Sequence, residues 1–415
     1  MKHFNWIFCL FCILCLMGCK DNEVTISQPF KTADGQDKDN DTITGDSYVY
    51  HLPVIFHVFY KNPSDTLQYI PHERFEQILS NVNELYQGDV YNHNIDTTAS
   101  ENIHVHFELA RKDESGKTLD TPGVEYLPYP DAADSIDCNT FMNDKSRKYQ
   151  KYLWDPNDYI NVMVYKFSDT SKNETTLGIS NMPYKVGGYP ALDGLSKSKS
   201  YPMTKDNLSF AYCVSLNSKY IHAKYEGTRY TIDKDSTNYL YSSLDPNATL
   251  AHELGHYLGL NHVFAEKSSK SKTEPADNEN DTDHCADTPS YNRKQYVQWY
   301  SNFVKEHKDK TYSLRDVIVR ENSNGKKWNA DNFMDYSACL NLRFTPDQAY
   351  RMRQVLYYSP LIPGPKIDRT NTRATEYQDG IIEDLPIVLS EARTAPKSII
   401  MYRVNKGHGL NQKMK

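Results

Sequence analysis

Beyond residue 19 no two cysteines stand in C-x-x-C spacing, which removes the usual cysteine-based zinc site. No long basic run is present and the net charge is −7, so a nucleic-acid surface is excluded. The apolar stretch from Phe4 to Met17 is too short to span a membrane as a helix. An acidic loop with Asp277, Glu279, Asp281 and Asp283 at alternating positions lacks the glycine of an EF-hand, so a solvated loop is its default reading. What remains, with 39% hydrophobic and 24% charged residues, is a soluble globular body. The length of 415 residues suits one large domain with extensions, or two modest ones.

The N-terminus reads as an export signal. Lys2 and His3 precede the apolar stretch, which ends at Leu16-Met17-Gly18-Cys19. These four residues resemble a bacterial lipobox, implying that residues 1–18 leave as a signal peptide and that the Cys19 thiol carries lipid. The mature chain would then be a membrane-anchored lipoprotein of the bacterial cell envelope, at the outer membrane. Lys20-Asp21-Asn22-Glu23 resembles the acidic tags of surface-exposed Bacteroidetes lipoproteins. Residues 19–47 are polar and lack apolar periodicity, as expected of a flexible tether.

One segment carries most of the chemistry. His252-Glu253-Leu254-Gly255-His256-Tyr257-Leu258-Gly259-Leu260-Asn261-His262 fits H-E-x-x-H-x-x-G-x-x-H. Residues four apart share one helix face, so His252 and His256 can hold the same ion. Gly259 lets the chain leave the helix sharply and return His262 as a third nitrogen ligand. Three protein ligands with an open fourth position mark a catalytic zinc, and Glu253 is the natural general base for the water there. Asp245-Pro246 supplies the N-cap and first turn of the helix. Leu250, Leu254, Tyr257 and Leu258 form an apolar face nearly opposite the histidines.

Asn332-Phe333-Met334-Asp335-Tyr336 follows downstream. Together with the long histidine motif it resembles the Met-turn of the metzincin metallopeptidases, which implies that Met334 supports the metal from below without ligating it. Tyr336 would then stabilise the oxyanion of the tetrahedral intermediate. The flanks are similar to the pappalysin family, peptidase family M43. The likeness runs through Leu52 to Val58, Trp154 to Val164, Thr249 to Phe264, Asp287-Thr288-Pro289 and Phe344 to Arg353. It implies an α+β fold, with an N-terminal mixed twisted sheet and helices over an irregular, helical C-terminal subdomain and the active-site helix between them. It also implies calcium near the Asp-Thr-Pro segment, making Asp283, Asp287 and Thr288 candidate ligands. Ala338 stands where some relatives carry an acidic residue linked to basic residues after the scissile bond, so that preference is not expected here.

Four cysteines remain past Cys19, namely Cys138, Cys213, Cys285 and Cys339. Export permits disulfides; four cysteines allow three pairings that sequence does not choose among, and Cys285–Cys339 is the favoured one because it would tie the Asp-Thr-Pro loop to the Met-turn. Strands are predicted over Leu52–Tyr60, Ile103–Leu109 and Tyr159–Phe167, and a helix over Pro71–Tyr86. Thr345-Pro346-Asp347 should cap a helix to about Tyr357. The stretch up to Ser243 is loop-rich, with Phe210–Leu216 its most strand-like part and the candidate edge strand for substrate. His57, His104 and His106 read as structural or surface residues.

These readings give a catalytic domain over 48–360 and a C-terminal extension over 361–415, a tail packed on the body or partly disordered, with one strand-like run at Ser398–Val404. The expected activity is zinc-dependent endopeptidase cleavage of protein or peptide substrates. The alternative is a surface binding lipoprotein that retains the fold without turnover. Substrate identity, latency and oligomeric state are not legible.

Overall fold

The computed structural model describes residues 30–31, 37–38, 48–88, 100–129, 134–168, 171–172, 174–186, 190–198, 203–226, 238–265, 276–307, 312, 314–336, 338–366, 381–397 and 401–405. The signal segment 1–18 and the lipidation candidate Cys19 lie outside these residues, as does most of the tether.

A mixed sheet is built around one long strand, β1 (Tyr50–Tyr60). Its run Leu52–Phe59 is buried throughout, because β1 has parallel neighbours along both sides and is covered on both faces. Two short strands share one side in tandem. β2 (Val105–Leu109) pairs with Tyr50–Val54, and β3 (Val124–Pro128) pairs with Phe56–Tyr60. The other side carries β4 (Ile160–Tyr165), then β6 (Val214–Asn217), both parallel. β5 (Glu174–Ser180) adds antiparallel to β6. The sheet is therefore mixed, as the sequence reading expects, but Phe210–Leu216 is not its edge, because β5 lies outside β6. Val214–Asn217 is an inner strand, buried between β4 and β5. β5 reads Glu-Thr-Thr-Leu-Gly-Ile-Ser, too polar to announce a strand on its own, so pairing and not intrinsic propensity holds it extended.

Helix α1 (His72–Tyr86) buries Phe75, Ile78, Leu79, Val82 and Leu85, the stripe its periodicity predicts. It lies against the active-site helix α3 (Pro246–Tyr257), linked by Asn81 to Asn247 and by the Tyr86 hydroxyl to the Ala251 carbonyl, 2.9 Å. Asp245 caps α3 through Asn247 N–H at 2.8 Å, with Pro246 at the first helical position. A short α2 (Cys138–Met142) precedes β4. Beyond α3 the chain is helical and irregular, with α4 (Arg293–Glu306), α5 (Leu314–Val317) and α6 (Pro346–Tyr358). A hairpin of β8 (Val319–Glu321) and β9 (Lys327–Asn329) lies between α5 and α6. Thr345 and Gln348 form the reciprocal capping box of α6. His57 is structural: its ring bonds Glu125 and Asn161 at 2.8 and 2.9 Å.

The C-terminal extension does more than pack on the body. β10 (Arg393–Pro396) joins the main sheet antiparallel to β5, so the sheet runs β10-β5-β6-β4-β1-β2 with β3 beside β1. Further on, β11 (Met401–Asn405) pairs with β7 (Asn238–Ser242), within the run predicted as strand-like. Among the described residues no helix is long and apolar enough to cross a membrane.

Candidate metal centre and active site

Helix α3 presents His252, Glu253 and His256, and all three side chains are buried. The helix ends at Leu258. Gly259 then takes φ of +92°, where a Cβ would lie 2.6 Å from Val355, and the reversal brings back His262. The three Nε2 atoms converge: 3.1 Å from His252 to His256, 3.1 Å from His256 to His262, and 3.3 Å from His252 to His262. Nitrogens at ~2.0–2.1 Å from a tetrahedral zinc should stand about 3.3 Å apart, so this triangle fits the ion.

The tautomers agree. His252 Nδ1 donates to the Phe333 carbonyl at 2.6 Å and His256 Nδ1 to the Leu260 carbonyl at 2.7 Å. A carbonyl only accepts, so in both rings the proton sits on Nδ1 and Nε2 offers a lone pair. Two such lone pairs facing each other at 3.1 Å repel unless a cation lies between them. Burial lowers the His252 pKa well below the usual imidazole value, which keeps the ring in its ligating form. Among the described residues this trio is the one group of three or more His, Cys, Asp or Glu side chains gathered closely enough to hold a metal.

Met334 lies under the helix: a Cβ on Gly255 would meet its sulfur at 2.6 Å. The turn around it is held by Asn332, whose side chain accepts from Met334 N–H at 2.9 Å and exchanges two bonds with Gln348 of α6. Tyr336 stands beside the trio, its ring 4.6 Å from that of His262. Arg293 covers the outer face of the Tyr336 ring at 4.3 Å.

Glu253 is fully buried, and neither carboxylate oxygen has a hydrogen-bond partner at ordinary distance among the described residues. Burial pushes its pKa up to about 8, opposed by the charge of Arg393 and by the Ser390 hydroxyl and Arg393 N–H that face it. Its space is provided by Gly178 of β5, where a Cβ would sit 2.7 Å from Glu253 Cγ. Sequence reasoning passed over Gly178, since a lone glycine in a polar segment carries no chemical label.

One expectation is corrected. Cys285 and Cys339 form no disulfide; all four described cysteines are free and buried. Each thiol turns to backbone instead, Cys285 towards the Asp283 carbonyl at 3.6 Å and Cys339 towards the Asn332 carbonyl at 3.2 Å. The calcium candidates Asp283, Asp287 and Thr288 are each engaged in hydrogen bonds within the protein. Asp283 binds the Thr288 hydroxyl and Cys285 N–H. Asp287 receives the Thr345 hydroxyl at 2.7 Å and Asp347 N–H at 2.9 Å, so its oxygens are used in holding the start of α6.

The sequence model of the peptidase M43 family, described as pregnancy-associated plasma protein-A, matches residues 222–357. An extracellular metalloprotease of Arthroderma otae is 31% identical over 120 residues, which cover 26% of this chain and 37% of that protein. The chain thus spans little more than a third of that relative. Among solved structures, Tannerella forsythia mature mirolysin in complex with a cleaved peptide is similar at a TM-score of 0.43 and 18% identity, covering 75% of this chain and 92% of that one. Mirolysin in complex with compound 9 gives 0.45 and 19% over the same shares. Likenesses at that level carry no weight for function. The stretch that matches the M43 family model contains all three histidines, Glu253, Met334 and Tyr336, so the likeness falls on the region that holds the metal centre.

Proposed function

We propose that this chain is a zinc-dependent endopeptidase that cleaves protein or peptide substrates. The observation that carries it is the triangle of Nε2 atoms, with edges of 3.1, 3.1 and 3.3 Å, beside a fully buried Glu253. His252, His256 and His262 would hold zinc, which when bound polarises a carbonyl and acidifies water. Glu253 takes the proton of the attacking water and hands it to the leaving amine. The Tyr336 hydroxyl donates to the oxygen that becomes negative, and Met334 fills the floor of the site. The carbonyls of Phe333 and Leu260 hold two of the imidazoles in the ligating tautomer. Zinc is the only cofactor in this reading; Asp283, Asp287 and Thr288 act as loop-holding groups. Lipid anchoring at Cys19 and placement on the bacterial envelope complete it, supported by the lipobox-like sequence alone.

The test is zinc content and hydrolysis of a diverse peptide library by the chain, beside Glu253→Ala. Stoichiometric zinc, with hydrolysis abolished by chelator and by the substitution, is the expected result. A folded protein that binds no zinc would overturn the proposal and favour a non-catalytic binding role.

A further inference from the structure

The cleft above the histidines contains this chain's own C-terminal segment. From Val388 to Pro396 it runs antiparallel along β5, the way an extended peptide adds to a sheet edge. Met182 N–H donates to the Val388 carbonyl at 2.8 Å, and Ser390 N–H to the Ser180 carbonyl at 2.8 Å. Ser180 N–H donates to the Ser390 hydroxyl at 3.0 Å. The ladder continues with Arg393 opposite Gly178 and ends with Pro396 opposite Glu174. Its register shifts between Arg393 and Thr394, at the level of Glu253. A cavity of about 180 Å³ lies between His256 and Asn261 on one wall and residues 388–391 on the other.

One peptide bond of this segment lies at the reacting groups. The Tyr336 hydroxyl donates to the Ala392 carbonyl at 3.2 Å. On the other side of the same bond, Arg393 lies opposite Gly178, the residue that abuts the Glu253 side chain, where a Cβ would sit 2.7 Å from Glu253 Cγ. The Arg393 side chain is buried and extends towards the Asp335 carbonyl and Asn341 Oδ1, each 3.4 Å away. Thus the carbonyl of the bond is at the oxyanion donor, its nitrogen on the Glu253 side, and the following side chain in a built pocket.

We propose that the Ala392–Arg393 bond is a substrate of this site, bound and cleaved within the same molecule. This rests on the peptidase reading above. A water oxygen bonds to the Ala392 carbonyl carbon, the bond to the Arg393 nitrogen breaks, and the water proton passes through Glu253 to that nitrogen. The products are a carboxylate at Ala392 and a peptide beginning at Arg393. That peptide stays attached through β11, whose five residues pair with β7, so the cut shows only under denaturing conditions.

The experiment follows the full chain by intact mass in denaturant, with zinc and with chelator. The expected result is a zinc-dependent pair of species ending at Ala392 and beginning at Arg393, formed at a first-order rate independent of protein concentration. Glu253→Ala should stay intact, and Arg393→Glu should slow this cut at least tenfold. A second readout needs no catalysis. In zinc-free Glu253→Ala, the amides of Ser390, Ser180 and Met182 should be protected from hydrogen exchange, and adding Arg393→Glu should reduce that protection. Hydrolysis of library peptides with the 392–393 bond left intact would overturn this inference alone. Hydrolysis of neither, in a folded zinc-loaded sample, would overturn the peptidase reading with it. A cut elsewhere in the segment, a rate that rises with concentration, or free-chain exchange would also overturn it.

Discussion

Removing the Asp335 carboxylate should destabilise the whole lower half of the site, because a fully buried guanidinium depends on it. Arg320 is 0% exposed and Asp335 2%, joined by Nε to Oδ2 at 3.2 Å. Asp335 Oδ1 also accepts the Tyr291 hydroxyl at 2.6 Å and the Tyr336 N–H at 2.7 Å. In Asp335→Ala the guanidinium keeps the Ala338 carbonyl at 3.0 Å, two longer carbonyl contacts and the Tyr296 ring at 3.8 Å, but no counter-charge. Breaking a buried pair from one side costs about 3–5 kcal/mol, and the remaining acceptors place this case near 3, before the orphaned Tyr291 hydroxyl adds about 1. Arg320→Met leaves Asp335 with its two donors and with Arg293, whose guanidinium lies 4.0 Å from Oδ1, and the double variant leaves no buried charge of the Arg320–Asp335 pair. The two single losses should therefore exceed the double loss by at least about 2 kcal/mol. Urea unfolding by circular dichroism in a Glu253→Ala background, which prevents self-digestion, measures all four corners. A loss below about 1 kcal/mol for Asp335→Ala, or additivity of the two substitutions, would refute the reasoning.

Other changes act at single points. Gly178→Ala places a Cβ against Glu253, and since β5 backbone cannot retreat from both neighbours, kcat/KM on library peptides should fall at least ~10-fold, or about 1.4 kcal/mol, with the fold intact. Unchanged kinetics would show that Glu253 has room to move. Thr345→Ala removes both the α6 cap and a partner of Asp287, and should lower urea stability by about 1–2 kcal/mol. Lys366 is buried, and burial lowers its pKa to about 7. The unfolded chain then holds the extra proton between that value and its ordinary 10.5, so stability should rise with pH across the window, by up to ~1.4 kcal/mol per unit. Lys366→Met should flatten that rise between pH 7 and 9, and parallel wild-type and variant curves would refute the assignment.

Elements with a continuous or periodic apolar pattern were legible. β1 shows its double-sided burial as an unbroken hydrophobic run, and α1 shows its single buried face as spaced apolar residues. β5 did not, since Glu174, Thr175 and Thr176 give no strand signal and Gly178 argues against one. Its conformation comes from β6 on one side and β10 on the other, contacts that no local window contains. The same holds for β10, where Arg393-Thr394-Ala395-Pro396 is unremarkable until it lies opposite β5. At the metal centre, the residues with distinctive side chains were visible at once, because imidazole and carboxylate chemistry is written in residue identity. The groups that orient them, the carbonyls of Phe333 and Leu260, are main-chain atoms that every residue possesses.

The pocket around Arg393 carries that point into specificity. The Arg393 charge acts on the buried Glu253 carboxylate through space, while the contacts of its guanidinium are to neutral oxygens. Arg393 is buried, on the Asp335 carbonyl and the Asn341 amide oxygen. Neutral acceptors have no long-range field, so recognition here depends on matching the fork of a guanidinium with two separated oxygens. A lysine at the same place brings one point donor and satisfies one oxygen at best. Arg393→Lys should therefore slow the 392–393 cut by about tenfold or more, though the charge is conserved. Raising salt from 50 to 500 mM should change the wild-type rate by less than about twofold. Intact-mass time courses read both. A lysine variant cut as fast as wild type, or a rate that collapses with salt, would mean that charge and not fork geometry holds the segment in place.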